Sequence, residues 1–229
     1  MADLYDYRHE IKYEIQPFQY LILRQRLSAL LRPDPHAGPD GRYRILSLYF
    51  DNCNDKALRE KRHGVSRREK FRLRRYNDDL EAILLEKKQK VNGMCLKTSC
   101  MISYDACAKL LAGAQDWAPP SAHPLCSELD FKMKSQMLRP KTLVCYVREP
   151  YVYQTGNVRI TFDTELQSSL CCDGFLDPHK VLVPATAANR MVLEVKYDAF
   201  LPGFIADALQ LGVIRTGAFS KYAACRNFE

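Results

Sequence analysis

Several segments of this chain place charged side chains at alternate positions, with apolar side chains between them. Alternate residues of a β-strand point to the same face of a sheet, so this pattern predicts strands with one charged and one apolar face. In residues 67–76, Phe71 and Leu73 would form the apolar face. The opposite face would carry Arg68, Lys70, Arg72, Arg74 and Tyr76.

The same alternation recurs along the chain. Further strands are predicted at residues 7–15, 43–51, 80–90, 142–148, 157–163 and 190–198. Their charged faces would carry Arg8, Glu10 and Lys12; Glu86, Lys88 and Lys90; Tyr146 and Arg148; Arg159, Thr161 and Asp163; and Glu194 and Lys196. Positive charge dominates these faces. Because like charges on neighbouring strands destabilise a sheet, the pattern indicates a bound anion.

Helical segments alternate with the strands and can cover their apolar faces. Longer helices are predicted at residues 17–32, 103–113, 124–138 and 204–211, and shorter ones at 54–64 and 219–226, with Asn54 as a cap. Short turns between several strands favour antiparallel pairing over βαβ units. The predicted fold is therefore α+β: an eight-stranded antiparallel β tunnel (barrel), cationic inside and water-filled, with helices packed outside. Residues 1–229 are predicted to form one domain.

Composition narrows the kind of partner and the compartment. The net charge of +7 suggests an anionic partner, although a merely basic surface would have the same total. Nine cysteines without a CxxC pair, and an N-terminus without an apolar leader, predict reduced thiols in a cytoplasmic protein. No apolar run approaches the ~20 residues of a transmembrane helix, so no membrane segment is expected.

Other common functional classes lack their residues. No GxxxxGK[ST] loop or HExxH motif occurs, and no histidine is placed by spacing beside a cysteine nucleophile. A nucleic-acid surface would normally interleave aromatic side chains for stacking, whereas only Tyr76 and Tyr146 lie on the charged faces. No specific nucleic-acid partner is therefore expected.

An ordered set of short motifs covers nearly the whole chain. The set comprises RHEIKY at residues 8–13, SLYFD at 47–51, KFRLRRY at 70–76, LEKK at 85–88, YVR at 146–148, VRITFD at 158–163, LEVK at 193–196 and FSKY at 219–222. This set resembles the VTC domain, the catalytic domain of vacuolar transporter chaperone polyphosphate polymerases. That family belongs to the triphosphate tunnel metalloenzymes, or CYTH-like superfamily, with class IV adenylate cyclases and thiamine triphosphatases.

The resemblance implies a set of ligands for triphosphate or polyphosphate. Carried over by motif, the catalytic phosphate ligands would be Lys12, Arg72, Arg74, Lys88, Lys97, Arg148, Arg159 and Lys221. Further substrate-binding candidates are Lys70, Tyr76, Lys196 and Ser220. Glu194 matches the family's metal-binding glutamate, and Glu10 is a second candidate, with Mn²⁺ or Mg²⁺ as the expected cofactor.

One position departs from the ExExK strand with which tunnel hydrolases and cyclases of the superfamily usually begin. Arg8 occupies the first acidic position, which favours the polymerase branch. The expected reaction transfers the γ-phosphate of ATP onto a polyphosphate chain. Two alternatives stay open: a tunnel triphosphatase or tripolyphosphatase, and a non-catalytic module that binds polyphosphate or RNA.

Overall fold

The computed structural model describes residues 7–119, 121–187, 189–211, 217 and 219–227. Its strands are β1 (His9–Ile15), β2 (Arg32–Pro33), β3 (Tyr43–Asp51), β4 (Arg67–Tyr76), β5 (Ile83–Val91), β6 (Met94–Ile102), β7 (Arg139–Tyr153), β8 (Val158–Ser169), β9 (Val183–Pro184) and β10 (Met191–Tyr197). Its α-helices are α1 (Pro17–Leu30), α2 (Lys56–Arg62), α3 (Tyr104–Leu111), α4 (Pro124–Ser135), α5 (Gly203–Ala208) and α6 (Lys221–Ala224).

All the strands belong to one antiparallel sheet. Its order is β1-β10-β8-β7-β3-β4-β5-β6, with the short strands β2 and β9 paired to β7 and β8. The sheet curls so that its two edge strands approach each other. Arg8 and Cys95 form an isolated antiparallel bridge there, with N···O distances of 3.1 and 3.3 Å. The Arg8 guanidinium also pairs with Asp198, just after β10, at 2.8 Å.

The expectation of an eight-stranded closed barrel needs correction. The sheet has ten strands, and it is not closed into a barrel. A closed barrel requires a continuous hydrogen-bonded ladder between its first and last strands. Within the described residues, β1 and β6 are linked by the single Arg8–Cys95 bridge. The fold is mixed α/β with one large curled antiparallel sheet.

Strand β6 was absent from the predicted set of strands. It follows β5 through a two-residue turn at Asn92 and Gly93, where Val91 pairs with Met94. Both turn residues have positive φ, 48° and 89°. An Asn-Gly dipeptide between two strands favours this hairpin geometry, so the sequence contained a usable signal for β6.

The apolar faces of the strands are buried under helices, as predicted. Phe71 and Leu73 of β4 belong to a buried cluster that includes Leu110 of α3 and Leu129 of α4. A second cluster places α1 and α5 over β8 and β10, with Leu23 and other residues wholly buried. Both clusters lie on the outer side of the curled sheet, which leaves the charged side chains inside.

Several predicted boundaries shift. Strand β7 begins at Arg139, runs through Pro140 and is much longer than the predicted 142–148. Helix α4 ends at Ser135, three residues before the predicted end at 138. The cap of α2 is Asp55 rather than Asn54. Near it, the Asp51 carboxylate accepts from the Ala57 backbone N–H at 2.9 Å. Among the described helices, none has the length and apolar character needed to cross a membrane.

Candidate functional site

The charged faces of the strands surround one cavity of about 450 Å³. Strands β1, β3, β4, β5, β6, β7, β8 and β10 contribute to its wall, together with α2 and the segment around α6. The predicted site residues that line it are Glu10, Lys12, Lys70, Arg72, Arg74, Tyr76, Lys88, Lys97, Arg148, Arg159, Glu194, Lys196, Ser220 and Lys221. The fold therefore brings all the predicted site residues together.

Arg72 and Arg74 face the cavity because they alternate with the buried apolar residues Phe71 and Leu73 along β4. Arg72 donates to Glu86 at 2.7 Å and to the Tyr49 hydroxyl at 2.8 Å. Glu86 is fully buried and also accepts from Lys97 at 3.2 Å. Burial alone would raise the pKa of Glu86, but Arg72, Arg74 and Lys97 outweigh it and hold that pKa far below the usual range.

Two further carboxylates, Glu10 of β1 and Glu194 of β10, lie beside each other in the cavity. Lys88 donates to Glu10 at 2.7 Å, and Lys196 forms an ion pair with Glu194. Burial and the neighbouring Glu194 would raise the pKa of Glu10, but Lys12 and Lys88 lower it to about 2. The pKa of Glu194 is likewise well below its usual range, because Lys196 and Lys12 offset its burial. Both carboxylates are therefore anionic at neutral pH.

Asp163 of β8 holds a third set of cations. Arg148 makes a bidentate contact with its carboxylate at 2.6 and 2.8 Å, and Lys221 also pairs with it. Arg148 lies 3.6 Å from Glu194, so this set adjoins the Glu10–Glu194 pair. The Ser220 hydroxyl accepts from the backbone N–H of Ala223 at 3.3 Å, which caps α6 and fixes Lys221 at its first turn.

Arg159 occupies one end of the cavity. It donates to Asp34 at 2.6 Å and to the Tyr43 hydroxyl at 2.8 Å. The rings of Tyr43 and Tyr76 pack edge to face there at 5.6 Å. Asp34 lies in the turn-rich segment after β2, where the sequence predicted only a loop. Its pairing with Arg159, 125 residues away, has no local signal in the sequence.

The family model of the VTC domain matches residues 7–228. The chain belongs to the VTC domain family. No curated protein matches it.

Two solved structures are similar to this chain at low identity. The PH1819 protein of Pyrococcus horikoshii OT3 is 14% identical, with a TM-score of 0.49 over 97% of this chain and 100% of that one. A candidate adenylate cyclase of Bacillus halodurans is also 14% identical, with a TM-score of 0.48 over 82% of this chain and 81% of that one.

In this VTC domain, Tyr49 is a cavity residue that the sequence prediction of the site missed. It lies in β3 directly opposite Arg72, and Lys70 Nζ lies 5.0 Å from its ring centre. Burial would raise the pKa of Tyr49, but Arg72, Lys70 and Arg74 lower it to about 7. The alternation in β3 places Tyr49 on the face of Ser47, which contacts Arg74, so the pattern could have identified it.

The cations of this VTC domain are interleaved with buried carboxylates. The sequence showed Glu86, Asp163 and Glu194 on the charged faces but did not indicate that each neutralises several cations. Among the described residues, no three histidine, cysteine, aspartate or glutamate side chains form a cluster suited to a metal ion. The carboxylate pair Glu10–Glu194 offers two oxygen-donor side chains.

Proposed function

We propose that this VTC domain is an inorganic polyphosphate polymerase that transfers the γ-phosphate of ATP onto the end of a polyphosphate chain. The observation that carries the proposal is the convergence of arginines and lysines from most strands on one cavity. Guanidinium groups match phosphate oxygens in a bidentate way, so such a cavity suits a string of phosphates. Membership of the VTC domain family supports a triphosphate-related function.

The cavity is proposed to act as a tunnel. The sheet curls until Arg8 and Cys95 meet, so the cations lie on a concave inner wall rather than on an open face. A bare phosphate chain is narrow enough for such a space, whereas a nucleic-acid duplex is not. Polyphosphate should therefore compete with ATP, and double-stranded DNA should compete with neither. Competition by duplex DNA would favour an open nucleic-acid surface.

Phosphoryl transfer depends mainly on positioning and charge stabilisation. Arg72, Arg74 and Arg148 are already oriented by buried carboxylates, so they can hold the triphosphate without reorganising. The cations would disperse the charge that develops on the transferred group. The acceptor is itself an ionised phosphate, so a strong general base is not required.

The paired carboxylates Glu194 and Glu10 fit a divalent cation. Hard cations such as Mg²⁺ are commonly held by one or two carboxylates, with substrate phosphates completing the coordination. Both side chains are anionic at neutral pH and lie together in the cavity. When bound, Mn²⁺ or Mg²⁺ would supply Lewis acidity toward phosphate oxygens. Lys196, Lys12 and Lys88 line the same cavity and would contact phosphate.

Product analysis tests this proposal against its alternatives. Purified protein is incubated with ATP and Mn²⁺, and the products are separated on a gel and assayed for free phosphate. Long phosphate chains support the polymerase. Release of orthophosphate without chains would instead indicate a tunnel triphosphatase. Binding without turnover would indicate a polyphosphate-binding module.

A further inference from the structure

Carboxylates divide the cations of the cavity into two groups. Most of the arginines and lysines that line the cavity have a carboxylate partner. The pairs are Arg72, Arg74 and Lys97 with Glu86; Lys88 with Glu10; Lys12 and Lys196 with Glu10 and Glu194; Arg148 and Lys221 with Asp163; and Arg159 with Asp34. Lys61, Arg68 and Lys90 also line the cavity. In the described part of the chain, these three form no ion pair. Lys70 also forms none there, but it lies over the Tyr49 ring at the centre of the cavity.

Lys61, Arg68 and Lys90, here called the basic mouth, lie close together. Arg68 of β4 faces Lys90 of β5 directly across the ladder. Lys61 approaches them from α2, and its pKa is lowered first by burial and then by Arg68, Lys12 and Lys90. All three side chains are half-buried. Like charges placed directly opposite each other destabilise a sheet, so this arrangement has a cost that a bound anion would remove.

The basic mouth lies away from the centre of the cavity. Arg68 shares a strand face with Arg72 but precedes it by four residues, which is about 14 Å at the usual rise of a strand. Arg159 and Tyr43 lie toward the other end, beyond Tyr76. A compact anion centred on Arg72 and Arg74 would therefore lie away from the backbone position of Arg68. A phosphate chain that continues along the face of β4 would reach that position.

We propose that the basic mouth is a separate anion subsite, which binds phosphates of a long chain beyond those held at the centre. Lys61, Arg68 and Lys90 would make affinity depend on chain length, and they mark the end through which the chain extends. The inference rests on the proposed function in taking polyphosphate as the ligand. Through Lys61, it adds the helix α2 to a binding surface that otherwise consists mainly of strand residues.

Binding measurements with two ligands test the subsite. The variants are Lys61→Met, Arg68→Met and Lys90→Met, and the ligands are tripolyphosphate and a long-chain polyphosphate. Lys109→Met is the matched control, because Lys109 lies on α3 and pairs with Asp116 at 3.7 Å, outside the cavity. Calorimetry is carried out on each pure protein over a range of salt concentrations.

Each mouth variant should weaken long-chain binding by about fivefold, while tripolyphosphate binding stays unchanged. The dependence of long-chain affinity on salt should also become shallower. Without ligand, the variants should resist urea at least as well as the parent protein, because a repulsion has been removed. Equal losses for both ligands, or no loss for either, would overturn the subsite. These outcomes are independent of turnover, so failure to make polymer from ATP would count against the polymerase alone.

Discussion

Arg72 and Glu86 face each other directly across the β4–β5 ladder, and Arg72 Nε donates to a carboxylate oxygen of Glu86 at 2.7 Å. Glu86 is fully buried, and it also pairs with Lys97 and Arg74. One buried carboxylate thus orients three of the predicted phosphate ligands. The centre of the cavity is organised before any phosphate is bound.

Glu86→Gln should therefore destabilise the fold, because it leaves buried cations without their counter-charge. Removing one partner of a buried ion pair costs about 3–5 kcal/mol, and a comparable loss in free energy of unfolding is expected in urea. Tripolyphosphate should recover more stability in the variant than in the parent. Glu14→Gln is the control, since Glu14 pairs with Arg190 outside the cavity. Equal stability of Glu86→Gln and the parent would refute this role.

The same pair predicts a pH dependence. The pKa of Glu86 is lower in the folded state than in the unfolded chain. Its contribution is therefore fully present above the unfolded pKa and decreases as the pH falls through the folded one. The stability difference between the parent and Glu86→Gln should be large at neutral pH and shrink in acid. A difference that is constant with pH would contradict the assignment.

Arg72→Ala tests the phosphate contact itself. Arg72 presents its guanidinium to the cavity from β4 and would form charge-assisted hydrogen bonds with phosphate oxygens. Its removal should weaken tripolyphosphate binding by about 1.5–3 kcal/mol, measured by calorimetry. Lys109→Ala, on the outer surface, should leave the affinity unchanged. If both substitutions have the same small effect, Arg72 is not a ligand.

The charged inner wall could be predicted from sequence because strand alternation is a local property. Phe71 and Leu73 on one side, and Arg72 and Arg74 on the other, are separated by the period of two alone. The pairing of carboxylates with these cations could not be predicted in this way. Asp34 reaches Arg159 across 125 residues, and only the assembled sheet brings them to 2.6 Å.

The closure of the sheet was also beyond reach of the sequence. The number of strands in the sheet includes short ones such as β2, which pairs with β7 through Arg32 and Pro33 alone. Two residues are too few to show an alternating sequence pattern. The Arg8–Cys95 bridge depends on how strongly the whole sheet curls. By contrast, β6 was missed although Asn92-Gly93 indicated its hairpin.

Glu194→Gln should abolish metal-dependent turnover without unfolding the protein. The amide is nearly the same size as the carboxylate but is a poor ligand for a hard cation. Mn²⁺ affinity in the presence of tripolyphosphate, measured by calorimetry, should fall together with turnover. Glu14→Gln is the control, because Glu14 pairs with Arg190 outside the cavity. Glu149→Gln is not suitable as a control, because Glu149 is a buried partner of Arg24 and Arg42. Normal Mn²⁺ affinity in Glu194→Gln would refute the metal role.

Tyr49 should titrate near neutral pH. Its pKa is lowered to about 7 by Arg72, Lys70 and Arg74 despite its burial. Because the folded pKa lies below the unfolded one, the stabilisation is complete above the unfolded pKa and is lost as the pH falls through about 7. The near-ultraviolet absorbance of phenolate should rise between pH 6 and 8, at roughly one unit either side of this pKa, in the parent protein. Tyr49→Phe should lack that rise, and its persistence would assign the titration to another group.

Transfer of a labelled γ-phosphate tests the central claim most directly. Pure protein is incubated with ATP labelled at the γ-position, Mn²⁺ and unlabelled polyphosphate, and the chains are separated from orthophosphate. The account predicts label in the polyphosphate chains of the parent protein and none with Arg72→Ala or Glu194→Gln. Label found only in orthophosphate, or equal labelling of chains by all three proteins, would contradict it.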